Sequence, residues 1–403
     1  MAARSASIAS FVLLLLLVAV PSSSNHVKLD LHGNIYPDGE FYTTVKIGEQ
    51  AKEYNLHVDT GSVLTWVQCS VPPGYCKGPC KKWQQPYDYY ELIPAKVVRS
   101  TDPLCRMWLK HTGDPNKGCS YKLGYSGGES SLGYLVHDMF PLRSNDHHVF
   151  AFGCGYNQEG VHEPSQVGGV LALGRDGSPV ALTSQLKQQS VITKNVISHC
   201  FRARGGGFLF IGEVTHSSAG ISWVALDRNT GNGHYSPAVQ AALHFQGKPI
   251  SNNLMKVVFD SGTTYTLFDR EPYQMTVNAV KASLHRSLRE VEDPAMELCW
   301  RGAGMFGSVY EVKPLFKTLA LVFKKANKII STLEIPPENY LIISGNGNVC
   351  FAIHPNPVVG GMNVIGAVTM QDRIIIYDNE AKQIGWVHGP CGTESEPEIT
   401  SRL

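Results

Sequence analysis

The sequence predicts an all-β protein of two pseudo-symmetric lobes with a cleft between them. Three observations predict it. Asp59-Thr60-Gly61 and Asp260-Ser261-Gly262 stand 201 residues apart, each after a short apolar run (54–58 and 257–259) and before further hydroxyl residues. The 403-residue chain carries 39 glycines and 23 prolines, which leaves little room for long helices. Short apolar runs at 41–47, 54–58, 149–152, 208–211, 329–335 and 374–377 are separated by Gly, Pro and Asn turns, the texture of a β-rich fold.

In chain order, residues 1–24 read as a signal peptide: Arg4, an apolar stretch over 8–20, then Pro21-Ser22-Ser23-Ser24. About a dozen apolar residues is short for a membrane span, so cleavage is expected and an uncleaved anchor is the alternative. No transmembrane anchor is expected after cleavage. The first lobe is expected over 25–220 and the second over 221–391, with the boundary near 214–226. Two helices are expected, over 180–188 and over 270–288, the latter from the spacing of Tyr273, Val277, Val280 and Leu284. Gly205-Gly206-Gly207 precedes an apolar strand rather than a helix, so it reads as a hairpin turn and not as a phosphate loop. The tail, 392–403, is polar and acidic, with neither a lipid-anchor signal nor an ER-retention tetrapeptide.

All ten cysteines follow the leader, and an even count in an exported chain predicts a disulfide framework of up to five bridges. Cys76-Lys77-Gly78-Pro79-Cys80 has the wrong spacing for a redox or zinc pair and reads as structural. A net charge of +1 gives no electrostatic case for nucleic acid or for a membrane surface.

The duplicated triads carry the chemistry. Two carboxylates on facing loops cannot both ionise freely, so one proton is shared. The ionised member can then draw a proton from a water as it attacks a carbonyl, and the protonated member can steady the oxyanion. Asp59 and Asp260 are the candidate catalytic pair, and the scheme calls for no metal and no cofactor. Gly61 and Gly262 are expected to permit a tight turn, and the neighbouring hydroxyls to hold the carboxylates. Asp and Gly also form ordinary turns, but that reading does not explain two copies in matched context.

On these segments the chain resembles the pepsin-type aspartic peptidases, in particular their plant nucellin-like branch, over essentially all of the mature sequence. DTGSVLTWVQC and VVFDSGTTYTLF are similar to the two active-site segments, YSGGESSLGYLVHDMF to the flap hairpin, FAFGCGYNQEG to the following strand, and MQDRIIIYDNEAKQIGWV to the closing strands. The resemblance implies the bilobal acid-protease fold and a secreted aspartic endopeptidase with an acidic optimum. It also implies a polypeptide substrate bound in extended form, a monomer, and passage through the secretory pathway to the apoplast or vacuole. Thr60 and Ser261 match the residues that cross-link the two loops, Ser62 and Thr263 the outer hydroxyls. Tyr125 matches the flap tyrosine and Trp66 its usual hydrogen-bond partner. The resemblance further implies the pairs Cys299–Cys350 and Cys200–Cys391. It leaves Cys69, Cys76, Cys80, Cys105, Cys119 and Cys154 unassigned.

Four positions depart from the family pattern. Val63 is expected to be an exposed apolar residue. Gly168 stands where an Asp is usual, and Ala172 replaces the glycine behind the first active-site loop, so crowding and reduced activity are expected there. Ala367 replaces an acidic residue common in plant relatives. About 35 residues separate the expected cleavage from Asp59, too few for a usual inhibitory pro-segment. The alternative function is a weak or silent binding protein, similar to plant xylanase inhibitors on this scaffold.

Overall fold

The computed structural model describes residues 26–70, 87, 96–109, 118–143, 147–159, 166–175, 177–213, 220–228, 233–326, 328–358, 361–389 and 391. The leader, the tail and the Cys76/Cys80 pair lie outside the described residues.

The first half supplies β1 (His26–Asn34), β2 (Glu40–Ile47), β3 (Lys52–Asp59), β4 (Trp66–Gln68), helix α1 (Pro103–Leu109), β5 (Ser120–Gly124) and β6 (Ser130–Met139). It continues with β7 (Val149–Glu159), β8 (Gly169–Ala172), α2 (Leu182–Gln188), β9 (Val196–Phe201) and β10 (Gly207–Gly212). The second half opens with β11 (Ser222–Ala225), β12 (Ala241–Phe245), β13 (Lys248–Met255), β14 (Val257–Phe259), β15 (Thr266–Phe268) and α3 (Arg270–Ala282). Then come β16 (Arg289–Asp293), β17 (Met296–Arg301), α4 (Val309–Val312), β18 (Leu319–Lys325), β19 (Lys328–Ile335) and β20 (Leu341–Ile343). The chain closes with β21 (Val349–Phe351), β22 (Ile353–Pro355), β23 (Asn363–Ile365), α5 (Ala367–Met370), β24 (Arg373–Asp378) and β25 (Gln383–His388).

Alternation builds these strands. In β2, Phe41, Thr43, Val45 and Ile47 are buried while the residues between them are not. In β3, Tyr54, Leu56 and Val58 enter the core, which leaves Asn55, His57 and Asp59 on the opposite face.

A thirteen-stranded sheet runs β11-β25-β24-β9-β10-β1-β2-β3-β8-β4-β7-β6-β5 and so joins both halves of the chain. The join is the antiparallel pairing of β24 with β9, where Ile374 faces Cys200 and Tyr377 faces Ile197. Cys200 is also bonded to Cys391, which ties the last described residue to the same strand. Three four-stranded sheets complete the second half: β13-β12-β18-β19, β14-β23-β15-β22 and β16-β17-β21-β20. Cys299–Cys350 crosses the last of these between paired residues. Among the described residues two further bridges join Cys69 to Cys154 and Cys105 to Cys119.

Both expected helices form, with shorter bounds. α3 is capped by the Asp269 side chain, which accepts from Arg270 N, and it buries Thr276, Val277 and Val280. It stops at Ala282 instead of Leu288. Ser283 turns its hydroxyl back to Val280 O at 3.1 Å, and His285 Nδ1 accepts from Ser287 N at 3.3 Å. Side chains that bond nearby backbone compete with helix continuation. α2 begins at Leu182, because Ala181 offers no side-chain cap and is extended. The triple glycine is a β9–β10 hairpin turn with φ of 94° at Gly205 and 69° at Gly206. No helix among the described residues is long and apolar enough to cross a membrane.

Candidate active site

β3 ends at Asp59, and β14 ends one residue before Asp260. Each strand pairs in parallel with a short strand from later in its half, β8 and β23 respectively, and each carboxylate emerges at that junction. The two loops meet through their hydroxyls. Thr60 N donates to Ser261 Oγ at 3.0 Å, and Ser261 N donates to Thr60 Oγ1 at 2.9 Å. Ser261 Oγ in turn donates to Val58 O at 2.7 Å and Thr60 Oγ1 to Phe259 O at 3.4 Å. All four polar groups are satisfied across the two halves, in a place where an orphaned one would cost about 1–3 kcal/mol.

The carboxylates receive matched sets of donors. Asp59 accepts from Gly61 N at 2.7 Å and from the Ser62 hydroxyl. Asp260 accepts from Gly262 N at 2.9 Å and from Thr263 Oγ1 at 2.9 Å. The two carboxyl groups lie close enough to act on each other's proton. Gly61 and Gly262 serve a purpose other than turn freedom, since neither has positive φ. A Cβ on Gly61 would lie 2.6 Å from the Asp260 carboxylate, and one on Gly262 2.6 Å from Asp59 Cγ. Glycine is required because each loop's backbone abuts the opposite carboxylate.

Burial raises both carboxyl pKa values above the ordinary range. The charge of Asp59 adds to the rise of Asp260, and each carboxyl is drawn back down by its own donors, Ser62 and Gly61 on Asp59, Thr263 and Gly262 on Asp260. Two raised carboxyls this close share one proton between them.

Above Asp59 the hairpin of β5 and β6 closes through Tyr125 N to Glu129 O at 2.8 Å. Trp66 Nε1 donates to the Tyr125 hydroxyl at 2.7 Å. Burial, with the charge of Asp59 second, keeps the Tyr125 hydroxyl protonated.

Behind the loops the two halves differ. Thr65 Oγ1 accepts from Ala172 N at 3.1 Å, and Thr266 Oγ1 accepts from Gly366 N at 3.1 Å. Gly366 has no room for a methyl, since a Cβ would meet Tyr265 O and lie 2.8 Å from Thr263 O. Ala172 carries one, buried in a small cluster with Leu64, Trp66, Val170 and Val180. The expected crowding therefore does not displace Asp59, which keeps the same kinds of donors as Asp260. Gly168 acts through its backbone alone, donating to Asn55 O at 2.8 Å. Val63 is half-buried rather than exposed, because it packs over Gly174 at the loop's inner side. Ala367 is buried at the start of α5, and its N–H donates to Thr263 O at 2.8 Å.

Sequence reasoning passed over Thr65 and Thr266, yet each stands six residues after its Asp in the duplicated segment, so the signal was present. It also passed over Tyr377, which comes up to Thr60 from the joining sheet and which only the fold brings there.

The comparisons agree with this geometry. The sequence family described as xylanase inhibitor N-terminal matches residues 41–213, and the one described as xylanase inhibitor C-terminal matches 237–388. An aspartic proteinase of Oryza sativa subsp. japonica is 42% identical over 426 residues, covering 100% of both chains. The chain belongs to the pepsin-like aspartic protease family. "Aspartic proteinase 36" of Arabidopsis thaliana is a more distant member, 26% identical over 398 residues, covering 91% of this chain and 78% of its own. Among solved structures, soybean basic 7S globulin superposes with a TM-score of 0.68 at 14% identity, covering 94% of this chain and 100% of that one. At that identity the likeness shows the pepsin-like fold alone.

Proposed function

We propose that this member of the pepsin-like family is a secreted aspartic endopeptidase of the nucellin-like branch, working in acid on extended polypeptides. The carrying observation is the facing pair Asp59 and Asp260, each held by a backbone N–H and a hydroxyl and each against the opposite loop's glycine. In this reading the halves 25–220 and 221–391 act as lobes around the cleft. Asp59, as the ionised member, takes a proton from a water placed between the carboxyls as that water attacks the peptide carbonyl. Asp260, which holds the shared proton, donates a hydrogen bond to the developing oxyanion. The proton gained by the pair then passes to the leaving amine, so both carboxyls return to the starting state. Tyr125, fixed by Trp66, closes over the substrate and narrows access of bulk water. The leader in the sequence and the disulfides support passage through the secretory pathway to the apoplast or vacuole, and a monomeric chain suffices for the site.

A second reading is favoured by the matched family descriptions, which name xylanase inhibitors. In it the same fold binds a protein partner and cleaves nothing. Digestion of a mixed peptide library across acidic and neutral pH, with and without pepstatin, separates the two. Pepstatin-sensitive cleavage is expected; intact peptides at every pH would favour the binding protein.

A further inference from the structure

The second half carries an exposed basic and apolar patch that the cleft chemistry does not use. β18 and β19 form a hairpin whose tip lies at one end of the β13-β12-β18-β19 sheet. Just short of that end Met255, Ala241, Phe323 and Ser331 make one buried rung across the four strands. One step further out stand Lys256, Gln240 and Lys324, and Lys325 then pairs with Lys328 across the tip. Along β19, Ser331, Leu333 and Ile335 turn to the core in ordinary alternation. A bulge ends that alternation: Phe323 pairs with Ser331 but Lys324 with Ile329, which leaves Ile330 as the extra residue. Ile329 is 63% exposed and Ile330 43%, so two consecutive isoleucines face solvent among the lysines.

None of Lys256, Lys324, Lys325 and Lys328 has a carboxylate partner among the described residues. The chain's net charge of +1 conceals this cluster, since in physiological salt a charge acts over only about 10 Å. The patch also points away from the dyad. β14 starts straight after Lys256 and ends one residue before Asp260, a rise of about 13 Å. Between hairpin and dyad the Trp386 ring lies 5.5 Å from Phe323 and 5.8 Å from Phe259. A flat surface against the tip therefore leaves the carboxylates on the far side.

We propose that the tip of the β18–β19 hairpin docks this protein reversibly on an anionic lipid bilayer. Ile329 and Ile330 enter the headgroup layer, while Lys324, Lys325 and Lys328, backed by Lys256, lie against the lipid phosphates and carboxylates. Charge selects the surface, because four ammonium groups at one end of a sheet suit an extended negative face. The isoleucines select lipid over a dissolved polyanion, since they leave water only where there is hydrocarbon to receive them. So short an apolar tip gives attachment that depends on the lysines and is weaker than a membrane-spanning anchor. No residue of the dyad or flap takes part, so the inference stands apart from the peptidase reading.

The test is co-sedimentation of the protein, expressed from the full chain, with vesicles of phosphatidylcholine alone or with about 30% phosphatidylserine. At about 0.1 M salt the anionic vesicles should bind at least about tenfold more tightly, and about 0.5 M salt should remove most of that preference. Lys325→Gln and Lys328→Gln should each weaken binding about fivefold. Ile329→Ser combined with Ile330→Ser should weaken it about tenfold and leave the salt dependence in place. These side chains are exposed, so every variant should melt within about 2 °C of the wild type. Binding to anionic vesicles no tighter than to neutral ones overturns the proposal and leaves the lysines as a guard on the edge strand β19. Unweakened binding by the double isoleucine variant overturns it too, since charge alone would then suffice and a dissolved polyanion would serve as well as a bilayer.

Discussion

At the scale of residues, the two halves reach the same carboxylate geometry from different surroundings, and substitutions should reveal the difference. Gly366→Ala pushes a methyl against Tyr265 O and Thr263 O, behind the loop that carries Asp260. A displacement of about 1 Å there costs on the order of 100-fold in kcat. Ala172→Gly, at the matching place in the first half, removes a methyl that already has a packed site. It should leave kcat/KM within about twofold and cost about 1 kcal/mol in urea unfolding. A large gain in rate from Ala172→Gly would revive the crowding that the sequence suggested. The facing carboxylate pair was legible in the sequence because duplication is visible in a linear string. The fit of Ala172 was not, because it depends on how far β8 stands from the Leu64 side, and no residue type states a distance.

At the scale of elements, the flap and the cross-linked loops are the parts that order the site. Trp66→Phe keeps the ring's bulk and deletes the hydrogen bond to Tyr125. It should lower kcat/KM about tenfold while leaving the melting temperature within about 2 °C, read by peptide kinetics and thermal unfolding together. Thr60→Val orphans the buried Ser261 N–H and should cost about 1–3 kcal/mol, measured by urea unfolding. Element identity was largely readable from alternation in strands such as β2 and β3. The end of α3 was not, because the spacing of Leu284 and Leu288 continues the helical pattern while Ser283 and His285 break the backbone. The pairing of Cys69 with Cys154 and of Cys105 with Cys119 likewise had no signature in the string; strand neighbours such as Val67 and Cys154 decide it.

At the scale of the whole molecule, two buried groups set opposite pH dependences. The dyad carboxyls have raised pKa values, so their contribution to stability is complete below the unfolded carboxylate pKa and is lost as pH rises through the folded values. His199, buried in the joining sheet, has its pKa lowered by burial from 6.5 to about 3. It stacks on Phe201 at 4.1 Å, and its Nε2 pairs with the Tyr377 hydroxyl, while Nδ1 has no hydrogen-bond partner among the described residues. Folded His199 is neutral and unfolded His199 takes a proton below pH 6.5, so its effect is a loss of stability as pH falls from 6.5 toward about 3. At about pH 4 that loss is about 3 kcal/mol. His199→Phe should raise stability at about pH 4 relative to about pH 6.5, shifting the difference between the two by about 3 kcal/mol in urea unfolding; an unchanged difference would place the acid sensitivity elsewhere. The two-lobed architecture was visible in the sequence, but this histidine was not, since its burial comes from β24 crossing to β9 late in the chain. The central claim is that a shared proton between Asp59 and Asp260 activates water. It is tested most directly by the pH profile of peptide hydrolysis for the wild type, Asp59→Asn and Asp260→Asn. The wild type should show pepstatin-sensitive cleavage in acid that declines as pH rises through the raised carboxyl pKa, with both variants inactive at every pH. Cleavage that persists in either variant would contradict the account.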